Sequence, residues 1–255
     1  MLGAMTELIA LITGANKGIG LETARQLGGH GMTVLLGARD EARGRAAETA
    51  LHAEDIDAHY VELDVTDPKS ARRAAEWADA RYGRLDVLVN NAGIAVRGGP
   101  PSETSLDAMR GVLETNVLGV ITVTNAMLPL LRRAAGARIV NVSSEIGSVT
   151  FMSDRSGPAW QMPASVPYPA SKAALNMVTA MYARELAGTP IKVNAANPGY
   201  CATDLNAHSG FRTAAEGASV SVHLATLPDD GPTGTLWGHV WGAPGGPAQY
   251  RTLPW

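Results

Sequence analysis

The sequence contains little cysteine, few aromatic residues and no excess of charge of one sign. Cys201 is the only cysteine among 255 residues, which excludes an internal disulfide framework and favours a reducing compartment. The 21 basic residues face 24 acidic ones, so a net charge of -3 offers no basic field for nucleic acid or an anionic membrane. The six histidines are scattered, with no His-x-x-x-His or Cys-x-x-Cys pair, so we predict no metal site.

Long hydrophobic runs are also lacking. The first apolar run, residues 8–12, is only as long as a strand. The N-terminal segment therefore lacks the basic region and the longer apolar core that are typical of a signal peptide. No uninterrupted run approaches the roughly 18 apolar residues that span a bilayer. With 45% hydrophobic and 18% charged residues, the composition is that of a globular protein with a large core. We therefore expect a cytoplasmic protein without a membrane partner.

Short apolar runs alternate with longer helical patterns. The predicted strands are residues 8–12, 33–36, 58–62, 87–90, 138–142, 192–195 and 236–241. The predicted helices are residues 18–29, 41–52, 68–82, 106–133, 169–186 and 213–227. Such alternation forms a parallel sheet that helices cover. The sequence thus predicts an α/β fold, a Rossmann-like doubly wound parallel sheet of about seven strands with helices on both faces, in a single domain that spans residues 1–255.

Two connections are longer than simple links. Residues 145–167 separate the fifth strand from the next helix, and a second stretch begins at residue 204 after the sixth strand. Loops of this length are usually functional, and both follow the carboxyl ends of strands, where open α/β sheets bind ligands. We expect an inserted active-site loop at 145–167, a substrate loop and helix at 204–228, and an irregular tail at 242–255.

A glycine-rich turn, Thr-Gly-Ala-Asn-Lys-Gly-Ile-Gly at residues 13–20, follows the first strand. Its three glycines, at 14, 18 and 20, allow a tight turn and close approach to a pyrophosphate. The N–H groups that open the next helix favour negative charge. A strand before and a helix after are the context that this motif requires. We interpret the segment as a dinucleotide-binding turn, with an ordinary βα turn as the alternative.

The residue that selects between the two nicotinamide cofactors is expected about 20 residues further on, after the second strand. Ala38 is neutral there, and Arg39 can donate paired hydrogen bonds to a 2′-phosphate, with Lys17 as a second cation. Asp40, if it turned inward, would serve a ribose hydroxyl instead, and both cations could equally be solvated surface residues. The balance favours NADP(H) over NAD(H).

Tyr168 and Lys172 are four residues apart, so on a helix they share one face and can reach one site. Pro169 suits the first turn of a helix, which places Tyr168 at the helix start. The pKa of a phenol is near 10, and a nearby cation lowers it toward the neutral range. Such a pair also occurs by chance in many helices, so alone it is weak evidence for catalysis.

Together these motifs resemble the short-chain dehydrogenase/reductase family, over about residues 6 to 228. The matching segments are Thr13 to Gly20, Asn90-Asn91-Ala92-Gly93, Asn116, Ser143-Ser144, Tyr168-x-x-x-Lys172 and Pro198-Gly199. Within the family, Asn16-Lys17 in the turn and Ala-Arg-Asp after the second strand are most similar to NADPH-dependent carbonyl reductases.

The resemblance implies four catalytic residues. Tyr168 would be the general acid that protonates a carbonyl oxygen as hydride arrives, or the base in the reverse direction. Lys172 would lower the pKa of that phenol and hold the nicotinamide ribose. Ser144, rather than Ser143, would hydrogen-bond the substrate oxygen. Asn116 would support a water that relays protons to Lys172, with a solvent-facing helix residue as the alternative.

The resemblance also implies a set of cofactor contacts. Asp64 and Val65 would meet the adenine, although Asp64 could equally cap the following helix. The Asn90–Gly93 segment would approach the adenosine half or brace the central strand, and the Pro198–Thr203 segment would meet the nicotinamide carboxamide unless it is an ordinary turn. The expected contacts are Gly14, Asn16, Lys17, Gly18, Ile19, Gly20, Arg39, Asp64, Val65, Asn91, Ala92, Gly93, Tyr168, Lys172, Pro198, Gly199 and Thr203.

The sequence departs from the family pattern at one place. Ser144 and Tyr168 are 24 positions apart, about ten more than is usual in the family, so an insertion lies beside the site. Its large apolar residues are Phe151, Met152, Trp160 and Met162. We hypothesise that they shape the substrate pocket; they could equally form a small satellite core under a long loop.

The expected function is reduction of a ketone or aldehyde to an alcohol by hydride transfer from NADPH, with a small-molecule carbonyl or alcohol as partner. One alternative is an NAD(P)-dependent secondary-alcohol dehydrogenase, since the same groups work in both directions. Another is a non-catalytic dinucleotide-binding sensor. By analogy with the family, a homo-oligomer that pairs through the fourth and fifth helices is a further interpretation, and the insertion could obstruct it.

Overall fold

An eight-stranded sheet forms the centre of the computed structural model, which describes residues 8–96, 99–241 and 249–255. The strands are β1 (Ile9–Thr13), β2 (Thr33–Ala38), β3 (Ala58–Glu62), β4 (Val87–Asn90), β5 (Arg138–Val142), β6 (Lys192–Asn197), β7 (Leu236–His239) and β8 (Tyr250–Leu253). Their order is β3-β2-β1-β4-β5-β6-β7-β8, with every pair parallel except β7 and β8. The predicted Rossmann-like, doubly wound fold is confirmed.

Helices cover both faces of the sheet. They are α1 (Gly18–Gly29), α2 (Glu41–His52), α3 (Pro68–Tyr82), α4 (Leu106–Leu113), α5 (Gly119–Leu131), α6 (Val149–Ser153), α7 (Pro167–Glu185) and α8 (Ala214–Ala225). Buried residues of α1, α2 and α8 share one apolar core, and those of α3, α5 and α7 share the other. Because both faces are covered, β1, β2 and β5 are buried along their whole length, as is typical of parallel strands.

The helix predicted for residues 106–133 is interrupted in the structure. A π-helical turn, Glu114–Leu118, lies between α4 and α5 and contains the buried Asn116. The sequence gives little warning of a π turn, because one extra residue in a turn leaves the apolar periodicity almost unchanged. The combined unit Leu106–Leu131 is long and apolar enough to cross a membrane by those criteria alone. Its apolar side chains, such as Val123 and Met127, pack in the core.

The insertion at 145–167 contains more regular structure than a loop. It holds a 3₁₀ turn, Glu145–Gly147, then α6, then a second 3₁₀ turn, Pro158–Gln161, before α7 begins at Pro167. The stretch that starts at 204 forms a 3₁₀ turn, Asp204–Asn206, and leads to α8.

The expectation of an irregular tail at 242–255 is wrong for its end. Residues 242–248 lie outside the described residues, but β8 pairs with β7 in antiparallel register, from Leu236 opposite Leu253 to His239 opposite Tyr250. Leu253 is buried in a small third core. The pairing is non-local, and the glycines and prolines around it weaken the local strand pattern that sequence analysis relies on.

Candidate active site

The glycine turn lies at the carboxyl end of β1 and leads directly into α1. Gly14 and Gly18 have φ angles of +64° and +57°, a region that favours glycine. A Cβ at Gly20 would lie 2.4 Å from both the Gly14 carbonyl oxygen and Asn91 Nδ2, so only glycine fits. The N-cap of α1 is Lys17, whose side chain makes no capping hydrogen bond. The first N–H groups of α1 are therefore not satisfied by that residue, as suits a helix that receives an anion.

Asn91 and Thr13 brace this turn. Asn91 Nδ2 donates to the Thr13 carbonyl at 2.9 Å and to the Gly14 carbonyl at 3.3 Å. Thr13 Oγ1 accepts from the N–H groups of Asn91 and Ala92 at 3.0 and 2.9 Å. Sequence analysis included Thr13 in the glycine-rich turn but gave it no role, although a polar residue at the end of an apolar strand was a signal. The bonds fix the spacing between the glycine turn and the end of β4.

Arg39 is exposed directly after β2, where a selectivity residue was expected. Asp40 is the N-cap of α2, and its side chain accepts from the Arg43 N–H at 2.9 Å. The Asp40 carboxylate therefore caps α2 and does not turn inward toward a ribose, as the alternative had it. Arg39 remains the residue with a charge suited to a phosphate at this position.

Lys17 forms an ion pair with a residue of the loop after β6. Its ammonium pairs with the Asp204 carboxylate at 2.5 Å, and both side chains are more than half exposed. The same carboxylate is 2.8 Å from His208 Nε2. Thr203, just before Asp204, lies 3.7 Å from the position a Cβ would take on Gly18. The loop at 203–208 therefore contacts the glycine turn directly.

The other expected turn and adenine residues have clear structural surroundings. Asn16 is half-buried in the turn, and Ile19 contacts Gly217 of α8. Asp64 Oδ1 accepts from the N–H and the hydroxyl of Thr66 at 2.9 and 2.7 Å, so it organises the turn before α3. Val65 is buried against Gly119, where a Cβ would come within 2.9 Å of Val65 Cγ2. The adenine contacts of Asp64 and Val65 stay predictions.

Tyr168 and Lys172 lie on one face of the first turns of α7. Lys172 Nζ is 5.4 Å from the centroid of the Tyr168 ring and donates to the Val142 carbonyl, at the end of β5, at 2.7 Å. Lys172 is 4% exposed, and Tyr168 is half-buried. Among the residues that the structure describes, no carboxylate forms an ion pair with Lys172. The ammonium is therefore buried without a counter-charge.

Burial shifts the pKa values of both groups away from their ionised forms. It lowers the pKa of Lys172 from 10.5 to about 8, because the charged ammonium is desolvated. It raises the pKa of Tyr168 from 10.0 to about 12, and the nearby Cys201 thiol adds to that rise. The pKa of this phenol is therefore raised by burial rather than lowered, in contrast to the expectation from the sequence.

The π turn holds Asn116 behind this pair. Asn116 Oδ1 accepts from the Ile94 N–H at 2.8 Å, and Nδ2 donates to the Ile94 carbonyl at 2.9 Å and to Ser171 Oγ at 3.0 Å. A Cβ at Gly93 would lie 3.3 Å from Asn116 Oδ1 and 3.8 Å from Lys172 Nζ. The side chain thus ties the segment after β4 to α7, and the alternative of a solvent-facing residue is wrong. Ser171, which the sequence analysis did not single out, completes the tie.

The two serines after β5 differ in their surroundings. Ser143 is buried, and its hydroxyl donates to Asn176 Oδ1 at 2.6 Å. Ser144 is half-buried, and its Oγ accepts a long hydrogen bond of 3.4 Å from the Ile146 N–H. A hydroxyl that accepts one bond still has a proton to donate. The Ser144 hydroxyl therefore has a proton available, and its contact with substrate stays a prediction.

The loop after β6 begins with Pro198 and Gly199, and Gly199 has a φ of +76°. A shallow cavity of about 260 Å³ opens between this loop and the segment after β4. Its lining residues are Ala95, Val96, Tyr200, Leu205, Asn206 and Ser209. Trp160 of the insertion is 48% exposed and stacks under the Arg155 guanidinium at 5.3 Å. The insertion therefore contributes no residue to the lining of this cavity.

Across residues 8–96, 99–241 and 249–255, no group of three or more His, Cys, Asp or Glu side chains is placed to hold a metal ion. Cys201 is buried within this region, and burial raises the pKa of its thiol. Cys201 thus has the surroundings of a packing residue.

Comparison with known proteins agrees with this geometry. The family model for short chain dehydrogenases matches residues 8–211. A short-chain dehydrogenase, anuI, of Penicillium roqueforti is 37% identical, covering 88% of this chain and 91% of the relative. Carbonyl reductase [NADPH] 3 of Mus musculus is 35% identical over 87% of this chain and 92% of the relative. The solved structure of salutaridine reductase from Papaver somniferum is 30% identical, covers 90% of this chain and 99% of its own, and has a TM-score of 0.78. The chain belongs to the short-chain dehydrogenase/reductase family of oxidoreductases.

Proposed function

We propose that this protein reduces a ketone or aldehyde to an alcohol, with NADPH as the hydride donor. The observation that carries the proposal is a half-buried phenol beside a buried lysine, at the carboxyl edge of the sheet where the glycine turn ends. Open α/β sheets bind their ligands at this edge. The name of the mouse relative, a carbonyl reductase that uses NADPH, supports the same reaction.

Tyr168 is the proposed proton donor. With a pKa raised to about 12 by burial, its phenol carries a proton at neutral pH, as a general acid for reduction requires. Ser144 would donate a hydrogen bond to the same carbonyl oxygen and so fix its position. Lys172, whose pKa is lowered to about 8, can gain and lose a proton near neutrality and so return a proton to the phenol. Asn116 would hold the segment at Ile94 and Ser171 in place for a relay water.

The proposed cofactor site fits a dinucleotide. The two positive φ angles in the glycine turn and the uncapped start of α1 suit a pyrophosphate, which supplies negative charge to the free N–H groups. Arg39 and Lys17 would bind the 2′-phosphate, with Lys17 leaving Asp204 to do so. The residues expected from the family around this cleft remain the proposed contacts, and bound NADPH would supply the hydride.

The test of the reaction is NADPH oxidation with a panel of ketones and aldehydes. We expect turnover by the wild type and a loss of about 100-fold or more in Tyr168→Phe, because general acid catalysis contributes that much. Tyr182→Phe is a matched control: this half-buried phenol lies on the same helix, and its hydroxyl donates to Asn125 Oδ1. NADPH binding without turnover of any carbonyl would favour a dinucleotide-binding sensor, and turnover only of secondary alcohols would favour a dehydrogenase.

The test of the cofactor preference is the ratio of NADPH to NADH affinity. Removing a charged hydrogen-bond donor to a phosphate should weaken NADPH binding by about tenfold in Arg39→Ala and leave NADH binding unchanged. Arg43→Ala is the control, since Arg43 is equally exposed and only four residues away. Equal losses for the two cofactors would exclude a role for Arg39 in selecting the phosphate.

The insertion is proposed to shape the far side of the substrate pocket. Trp160 has a large exposed surface close to the site in sequence, held by Arg155. If it contacts substrate, Trp160→Ala should change the order of kcat/KM values across the carbonyl panel. Shortening the chain between 150 and 162 should have a larger effect of the same kind. An unchanged order in both variants would leave the insertion as a satellite core.

The proposed setting is the cytoplasm, and the proposed assembly is a homo-oligomer. A single buried cysteine suits a reducing compartment. Met177 and Met181 on α7 are 62% and 43% exposed, and Leu118 before α5 is 48% exposed. Apolar side chains on these two helices suit pairing with a second copy. Light scattering should then give twice the monomer mass for the wild type and the mass of a single monomer for Met177→Glu.

A further inference from the structure

The 3₁₀ turn Glu145–Gly147 connects three parts of the candidate site. Ser144 directly precedes it, at the end of β5. Gly147 packs on the backbone of Lys172, where a Cβ would lie 2.7 Å from both the Lys172 carbonyl carbon and its Cβ. The position of this turn therefore sets the distance between the proposed substrate contact and the helix that bears the phenol and the lysine.

Glu145 anchors the turn on its other side. Its side chain is 5% exposed, and Oε2 accepts from the Trp241 N–H, two residues beyond β7, at 2.9 Å. A buried carboxylate is costly unless hydrogen bonds compensate it, so its presence beside a reaction centre needs a physical reason. The bond to Trp241 gives one, because it joins the end of β5 to the end of β7 across β6.

Asn197, the last residue of β6, completes this anchor. Its Oδ1 accepts from the Glu145 N–H at 3.0 Å and from the Gly199 N–H at 3.4 Å. Its Nδ2 donates to the His239 carbonyl at 2.5 Å. The same small network therefore holds the turn after Ser144 and the turn at Gly199, which face the substrate and nicotinamide sides of the proposed cleft.

We propose that Glu145 is a positioning residue for carbonyl reduction: by binding the Trp241 N–H it fixes Ser144 and Gly199 relative to Lys172. This inference depends on the proposed function, because Ser144 and Gly199 matter only if substrate and cofactor meet there. Glu145 itself does not contact the reacting atoms. What the reaction needs from it is an acceptor for one N–H group, and a neutral amide can supply that as well as a carboxylate.

The test compares two substitutions with one control. Glu145→Ala removes the acceptor, and Glu145→Gln keeps an oxygen for the Trp241 N–H. Asn194→Ala is the matched control, because Asn194 is a buried amide of β6 near the opposite end, where it binds the Pro232 carbonyl at 2.9 Å and the Thr235 N–H at 3.0 Å. All three variants lose or alter hydrogen bonds of a buried side chain beside or within β6.

The first readout is the split between kcat and KM. In Glu145→Ala we expect kcat to fall about tenfold or more, with KM for NADPH changed less than about threefold, since positioning acts on the chemical step. In Glu145→Gln and in Asn194→Ala, kcat should stay within about threefold of the wild type. A Glu145→Ala variant with unchanged kcat would overturn the proposal, and so would an equal loss in Glu145→Gln or Asn194→Ala.

The second readout is amide hydrogen exchange, which needs no turnover. In Glu145→Ala the amides of Trp241 and Gly199 should exchange about tenfold faster, because the network that protects them opens locally. If the wild type reduces no carbonyl, the proposed function fails while this readout still decides whether Glu145 anchors the turn. Unchanged exchange would overturn the anchor. If Glu145→Ala does not fold, Glu145→Asp, whose shorter side chain does not reach Trp241, gives the same test.

Discussion

Buried charged side chains have different partners at the amino edge of the sheet, where the strands begin, and at the carboxyl edge, where they end. At the amino edge, Asp86 accepts the Ile9 N–H at 2.9 Å and pairs with Arg84 at 3.2 Å. Arg138, 6% exposed, pairs there with Asp229 at 2.8 Å. At the carboxyl edge, Lys172 is equally buried, but within the described chain it binds only a carbonyl oxygen and no carboxylate.

Under the proposed function, this difference identifies the edge at which proton transfer would take place. A buried charge with a partner keeps its ionised state and contributes to structure. A buried ammonium without a partner has a lowered pKa, here about 8, and can exchange its proton at neutral pH. The uncompensated charge is a cost to folding, and the proposed proton relay would account for it.

The largest effect is expected when each of the two buried cations, Lys172 and Arg138, is replaced by methionine. Lys172→Met should reduce NADPH-dependent turnover by about 100-fold or more, because the phenol loses its proton relay. Its free energy of unfolding at pH 7 should not fall, since an uncompensated buried charge is removed. Arg138→Met should do the opposite, costing about 2 kcal/mol of stability through lost bonds to Asp229 and the Leu227 carbonyl and leaving kcat unchanged.

Urea unfolding and steady-state kinetics measure the stability and the turnover of both variants. The contrast between the two edges would be contradicted if Lys172→Met were strongly destabilised at pH 7, or if Arg138→Met lost activity as severely as stability.

The second prediction concerns the pH dependence of stability. Between about pH 8 and 10 the folded protein should hold Lys172 neutral while the unfolded chain, with a pKa near 10.5, still binds the proton. The unfolded state binds more protons, so the free energy of unfolding should rise with pH, by about 2 kcal/mol over this window. Tyr168 does not oppose this, because its pKa is raised and its contribution is lost only above pH 10.

The measurement is the free energy of unfolding of the wild type minus that of Lys172→Met at several pH values, which cancels the other titrating groups. A difference that stays flat between pH 8 and 10 would mean that the lysine is not desolvated.

A third, smaller effect is expected from Asn116. At the carboxyl edge, the π turn is held to Ile94 and Ser171 by neutral amide bonds. Asn116→Ala should lower the free energy of unfolding by about 2 kcal/mol, because it leaves buried partners unpaired. Asn125→Ala, an exposed amide on α5, should change it by less than about 0.5 kcal/mol. Equal effects in urea unfolding would show that the π turn needs no support.

The smallest effect is expected from Asp86→Asn at the amino edge. The amide oxygen can still accept the Ile9 N–H, but the ion pair to Arg84 is lost, at a cost of about 1 kcal/mol. Turnover should not change. A large loss of activity with little loss of stability would show that the amino edge also contributes to the reaction.

The parts of the fold that sequence analysis predicted well are governed by local patterns. The strands at 58–62, 87–90 and 138–142 and the first three helices have the predicted bounds, because apolar periodicity and caps such as Asp40 and Asp67 act over a few residues. The glycine turn and the spacing of Tyr168 and Lys172 are local in the same sense. The structure places that pair on one helical face as expected.

What could not be predicted depends on residues far apart in the chain. The strand β8 exists through its pairing with β7, and the role of Glu145 depends on Trp241, 96 residues away. The pKa of Tyr168 was expected to fall and is raised, because the spacing of two side chains says nothing about how deeply each is buried. Local sequence patterns show which side chains come together, but the pKa values of those side chains depend on how deeply the fold buries them.

The most direct test of this account is the protonation midpoint of Lys172 in the unliganded protein. The sequence has four lysines, at 17, 69, 172 and 192, so a titration of lysine Nζ by ¹⁵N NMR, assigned with Lys172→Met, can isolate it. A midpoint near pH 8 is the predicted result. A midpoint at or above the ordinary lysine value of about 10.4 would show that the ammonium is solvated or paired, and the contrast between the two edges would be contradicted.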